Sequence, residues 1–174
     1  MPASGPWADW QGRDADQAVA ALYHAHYRSL AGIAVLLDGH SARAEEIVQE
    51  AFASMHRAWR RLRDGDDGDK ALAHLRRAVV TGTRSRAAVS LDERDRLRAL
   101  DAAAEPAAPG RAGPLLIAAL SGLPARQREA LVLTYYANWP APEIAAAMGI
   151  SGHALNVHVR LGIAALGASC DCLP

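Results

Sequence analysis

The segment 41–63, SARAEEIVQEAFASMHRAWRRLR, constrains the fold of this chain more than any other. Ile47, Val48, Ala51, Phe52, Met55, Trp59 and Leu62 recur at intervals of three and four, the pattern of a single apolar stripe on an amphipathic helix. Ser41 stands where an N-cap is expected. Glu45 and Glu46 lie near the positive end of the helix dipole, and Arg60, Arg61 and Arg63 lie near its negative end. Outside the stripe remain Glu46, Gln49, Glu50 and Ala53, at i, i+3, i+4 and i+7 on a different face. Such a face is either a solvated polar stripe, as on most surface helices, or a docking surface.

With 174 residues the chain can form one ordinary domain or two small ones. Hydrophobic residues make up 51% and aromatics only 5%, which favours helices packed through Ala and Leu over a β-sandwich. No apolar run is long enough to span a bilayer. The start, MPASGPWADW, lacks the basic end and apolar core of a signal peptide, so a cytoplasmic protein is expected. Lys and Arg number 19, as do Asp and Glu, but they are unevenly spread. Residues 114–174 hold only Arg126, Arg128 and Arg160 against Glu129, Glu143 and Asp171. Charge-based contact with nucleic acid therefore belongs to the first half.

In chain order, residues 1–13 read as a loose tail. A helix is expected from Asp14 to Leu37, carried by Val19, Leu22, Tyr23, His26, Leu30, Ile33, Ala34 and Leu37, and broken by Asp38-Gly39-His40. After the 41–63 helix comes the acidic, Gly-rich loop 64–69. Its D-x-D-x-x-D spacing suggests calcium, but Leu75 stands where an EF-hand places its closing Glu, so Asp69 is read as a helix cap instead. The next helix, 70–87, has Leu72, Leu75, Val79 and Val80 on its buried side and His74, Arg77, Thr81 and Arg84 on a polar face. With Arg76 and Arg86 it is the most basic element of the chain. Pro, Gly and Ala mark 91–113 as a linker, although its charged start could extend as a short helix.

The second half has the pattern of four short helices, with Pro124 at the first position of one of them. Ile144, Ala145, Met148, Gly149, Ile150, Leu155 and Val159 fall where a helix-turn-helix needs them. Ala145 lets two helices approach and Gly149 permits a left-handed turn. The outward positions of the second motif helix, His153, Ala154, Asn156, Val157, Arg160 and, at its edge, His158, hold few of the side chains that read base edges. Trp139-Pro140 is expected to add exposed apolar surface there. His24 and His26 lack further ligands at helical spacing. Cys170 and Cys172 could bind zinc or sense oxidants with His153 or His158, but a reduced tail is the plainer reading. No catalytic pair, metal cluster or cofactor loop is read.

The string E-E-I-V-Q-E-A-F resembles the D-x-E-D-x-x-Q-E-A-F core of region two in sigma-70 family factors, and ALYHAHYRSL precedes it in the family's order. KALAHLRRAVV is similar to an actinobacterial subgroup that reads KALAYLRRAVVN, with His74 replacing Tyr. LPARQREALVLTYY resembles the L-P-x-x-x-R-x-x-L-x-L-x-Y-Y string of region four. The resemblance covers 19–87 and 115–166. It implies an all-α protein with two small helical domains, 14–90 and 114–168, joined by the linker 91–113 and ending in a tail at 169–174.

The implied function is that of an extracytoplasmic-function transcription initiation factor. Such a factor catalyses nothing, binds core RNA polymerase at the β′ clamp and the β flap, and directs it to promoter DNA. Polymerase binding would rest on Glu46, Gln49 and Glu50. Promoter contact would rest on Trp59, on Asp66 and Asp67 in the loop that captures a flipped base in such factors, and on Arg76, Arg77 and Arg84. His153, Asn156 and Arg160 would add weak contacts. An anti-sigma factor or an activator is a further implied partner. The Arg-rich run after the basic helix is shortened to Ser85-Arg86-Ala87-Ala88, and the recognition helix is degenerate. Two other readings stand beside this one: a sigma-like adaptor or antagonist without independent minus-thirty-five reading, and a metal or redox sensor using the terminal cysteines.

Overall fold

Local chemistry sets most of the helix boundaries. In α1 (Ala15–Asp38) the Asp14 carboxylate accepts a hydrogen bond from the Asp16 N–H at 3.4 Å. Gly39 ends the helix with φ +86°, its N–H donating to the Val35 carbonyl at 2.8 Å. Ser41 is the first helical residue of α2 (Ser41–Arg63), not its cap. The His40 carbonyl accepts the Ala44 N–H at 3.0 Å, so His40 holds the N-cap position expected of Ser41. Asp38 is buried at this corner, and Arg43 Nε donates to its Oδ2 at 2.9 Å, bracing α1 against α2.

The computed structural model describes residues 14–63, 69–98 and 112–170, and among them every regular element is helical. α3 (Asp69–Arg98) continues well past the expected end near residue 87, into the stretch read as linker. α4 (Ala112–Ser121) and α5 (Ala125–Leu131) come next, and α5 runs directly into a π-helical turn, Val132–Tyr136. α6 (Ala141–Met148) and α7 (Gly152–Cys170) complete the chain's described part. Pro124 precedes α5 with φ −53° and ψ 139°, one position before the expected one. No helix among the described residues is long and apolar enough to cross a membrane.

α1, α2 and α3 pack on one another as a three-helix unit. The α2 stripe is buried from Ile47 through Trp59, with Leu62 half-buried at its end. α3 contributes Ala71, Leu75, Val79 and Val80. Leu72, expected on that side, is only half-buried, and Ala71 takes its place. In the second half α5 and α6 pack on α7 through Leu131, Ile144, Met148 and Leu155. Gly149 caps α6 with φ +66°, as the turn of the motif requires.

The halves also pack against each other. α3 lies on α6, and α1 meets α4, α5 and the π-helical turn. Buried Leu30, Ile33 and Leu37 of α1 and Leu120, Leu123 and Leu133 of the second half belong to one continuous core. At this seam the Tyr136 hydroxyl sits against Gly32, closer than any Cβ there would allow.

Candidate polymerase and nucleic-acid interface

The spacing i, i+3, i+4 puts Glu46, Gln49 and Glu50 together on α2, and all three are exposed, while the buried stripe runs along another side of the helix. Glu50 accepts a hydrogen bond from Arg57 Nη2 at 2.6 Å, with both side chains about two-thirds in solvent (66% and 64%). An exposed pair of this kind contributes little to stability, roughly 0–1 kcal/mol. Releasing Glu50 from Arg57 to meet a partner would therefore cost the fold little.

The basic helix α3 is differently disposed. Arg77 and Thr81 are exposed. Arg84 turns toward the second half, where its Nε and Nη2 donate to the two oxygens of Glu129 at 2.6 and 2.7 Å. The Glu129 side chain is only 5% exposed, and Arg126 Nη1 also approaches it at 3.6 Å. Arg76 Nη1 donates to Glu143 Oε2, and its guanidinium lies 4.8 Å from the centre of the Trp139 ring. Trp139 is thus buried under a cation and adds no exposed apolar surface, contrary to the expectation from Trp139-Pro140. Trp59 departs from its expected role as well. At 4% exposure it belongs to the core, because it continues the three-four stripe of α2 and has no surface to offer DNA.

Two histidines sit near these arginines. His74 is half-buried, with Nε2 3.1 Å from Ser54 Oγ, and burial first, then Arg61 and Arg77, lower its pKa below the ordinary 6.5. Burial and then Arg76 lower that of His26. Because the folded chain holds these imidazoles neutral more firmly than the unfolded chain does, their contribution to stability is full above pH 6.5 and is lost as the pH falls below it. The melting temperature should therefore drop between pH 7.5 and 5.5. The drop should be smaller in His26→Gln and His74→Gln variants, and an equal drop in all three proteins would assign it to other groups.

On the helix-turn-helix, Ser151 Oγ accepts the Ala154 N–H at 3.2 Å at the start of α7, and Arg126 Nη1 donates to the Met148 carbonyl at 2.7 Å at the end of α6. His153, Asn156 and Arg160 are exposed, as expected for outward positions. Beside them Val157 and Leu161 are exposed too, so apolar and polar side chains share the face, while Ala154 and His158 are half-buried. Asp66 and Asp67 lie outside the described residues, as do Cys172 and the side chain of Cys170. Among the described residues no group of three or more His, Cys, Asp or Glu is placed to hold a metal.

What sequence reasoning missed are the acceptors, Glu129 and Glu143. Each meets its arginine across a long separation in the chain, 45 and 67 residues, so no local spacing signals the pair.

The family model of sigma-70 region 2 matches residues 22–81, and that of sigma-70 region 4 matches residues 115–166. Together they cover well over half of the chain, in the family's order. The chain belongs to the sigma-70 family. The region 2 match runs from Leu22 in α1 through α2 to Thr81 in α3, and region 4 comprises the second half with its helix-turn-helix. Among solved structures, CnrH, in complex with the cytosolic domain of CnrY, is similar at 22% identity and a TM-score of 0.65, over 92% of this chain and 96% of that one. The sigma factor RpoE, in complex with the anti-sigma factor NepR from Bartonella quintana, is similar at 20% identity and a TM-score of 0.63, over 89% and 98%. These are likenesses of fold. No curated protein sequence matches significantly.

Proposed function

We propose that the protein is a transcription initiation factor of the extracytoplasmic-function type, which binds core RNA polymerase and directs it to promoter DNA without catalysing a reaction itself. The observation that carries this is the α2 face, where Glu46, Gln49 and Glu50 stand exposed together within the matched region 2. Arg77 of α3 is free to approach a melted strand, whose backbone calls for cations and whose bases call for pockets. Region 4 contributes His153, Asn156 and Arg160. An anti-sigma factor is a further proposed partner, since RpoE was solved with one. Transcription with purified core polymerase and the full chain tests the proposal. Promoter-dependent transcripts support it, and the absence of polymerase from a pull-down with the chain would end it.

A second reading is a sigma-like adaptor or antagonist, favoured by the apolar surface of Val157 and Leu161 on α7. Polymerase binding without promoter-dependent transcripts would establish that reading. In either case Arg160 is the one arginine on α7, so little counterion release can occur there. Arg160→Ala in the full chain is expected to change affinity for upstream promoter DNA by no more than about threefold, and its salt slope by no more than about one unit. Fluorescence anisotropy across a salt series measures both, and a loss of tenfold or more would reveal an ordinary reader of the minus-thirty-five element.

A further inference from the structure

We propose that α7 is a self-association surface, on which two copies of this chain pair antiparallel and cross at Ala164. The inference is independent of the proposed function.

α7 is apolar on two opposite sides. Its inner side packs on α5 and α6, where Leu155 is buried and Gly162 leaves room for Leu131. On the outer side Val157, Leu161, Ala164 and Ala168 are all exposed, at intervals of four, three and four. That is the spacing of a coiled-coil seam, which keeps one side of a helix in line for a second helix. Val157 is 41% exposed, Leu161 50%, and Ile163 at the edge of the seam 49%. A helix that is apolar all round is one that is covered all round. Ala164, Gly167 and Ala168 carry little bulk, so the axis of a second helix can come close there.

The charges select a second copy as the cover. No Lys or Arg follows Arg160 in the chain, and the last turn of α7 holds no basic residue. The negative end of this helix dipole therefore lacks a cation of its own, and Asp171 comes next in the sequence. Antiparallel pairing about Ala164 sets Arg160 of each copy opposite position 168 of the other, in that last turn. The two-fold symmetry of such a pair makes the same contact twice. Parallel pairing would instead set Arg160 against Arg160 and one negative end against the other. From Leu161 to Ala168 the seam carries no charge, and the net charge of the whole chain is zero, so no like charge opposes the approach. About three turns of helix make a small interface, and the pair is accordingly weak and concentration-dependent.

Sedimentation equilibrium on the full chain, over about a hundredfold range of micromolar concentrations, tests the pairing. The average mass should rise from the monomer's 18.5 kDa toward twice that value. Leu161→Glu, at an exposed position, should keep the circular dichroism spectrum and stay monomeric throughout. Arg160→Glu should weaken pairing by about tenfold, because it reverses the charge placed at both helix ends. Orientation is read by cross-linking in a chain carrying Cys170→Ser and Cys172→Ser. Under mild oxidation Ala164→Cys should form a disulfide-linked dimer. Val157→Cys should not, because antiparallel copies hold that position about 20 Å apart, far beyond the reach of a disulfide.

A monomer at every concentration overturns the proposal and leaves the face to a different protein. Undiminished pairing in Leu161→Glu also overturns it, since the contact would then lie elsewhere on the chain. Cross-linking of Val157→Cys as readily as Ala164→Cys, or none from Ala164→Cys, overturns the antiparallel register, as does undiminished pairing in Arg160→Glu.

Discussion

Glu50→Lys is expected to abolish co-purification with core RNA polymerase while leaving the melting temperature nearly unchanged. The residue lies off the buried stripe of α2 and is exposed, and the contact it loses, with Arg57, is a solvent-exposed pair. Surface substitutions of this sort change stability by about 0.5 kcal/mol or less. At a docking surface the same change is severe. It removes an anion from the Glu46-Gln49-Glu50 face and puts a cation against groups selected to receive an anion. Like charges brought together across an interface cost several kcal/mol, which corresponds to a loss of roughly a hundredfold or more. Pull-down with purified core enzyme and differential scanning calorimetry measure the two effects separately. Normal polymerase binding by Glu50→Lys would remove the main support for the proposed function.

Phe52→Ala should have the opposite profile, a large loss of stability at a position two residues further along the same helix. Phe52 is buried, and its ring centre lies 5.2 Å from that of Tyr23, which itself stacks on Tyr27 at 4.5 Å. Truncating a buried phenylalanine costs about 3–5 kcal/mol through lost transfer energy and the cavity left behind. That is a large share of the roughly 5–15 kcal/mol that keeps a domain folded. Urea titration should show a lower midpoint with an unchanged slope. Because the core runs without a break from region 2 into region 4, the loss should appear in one shared transition. A change below about 1 kcal/mol would mean that Tyr23 and its neighbours collapse into the space.

These two positions also mark how far the amino-acid sequence could be followed. The α2 stripe and the exposed face beside it were both legible, because helical periodicity assigns each residue a side from its spacing alone. The helix-turn-helix pattern came from the same rule together with the glycine at position 149, while the all-α, two-domain class rested on the family resemblance. Trp59 illustrates the rule overridden by the resemblance. Its spacing put it in the stripe, and the family's habit suggested DNA, but the structure keeps it in the core. Trp139 and the fate of Arg76 and Arg84 were not legible. Their environment is made by a second group of helices, and neither composition nor periodicity says how two such groups will face each other. The exposure of a charged residue in a basic helix can be read from spacing only when nothing else packs on that helix.

The π-helical turn at Val132–Tyr136 ties that packing to the length of one short segment. Its bond from the Ala137 N–H to the Val132 carbonyl, at 2.9 Å, encloses one residue more than an α-helical turn does. Every residue added to or taken from a helix rotates the remainder of that helix by about 100°. A relative with one residue fewer between Leu131 and Trp139 would close an ordinary α-helical turn there, and the non-helical segment that carries its tryptophan would leave the helix from a point rotated by about that angle. Counting residues in this interval across related sequences would sort those able to cover the first arginine from those that leave it bare.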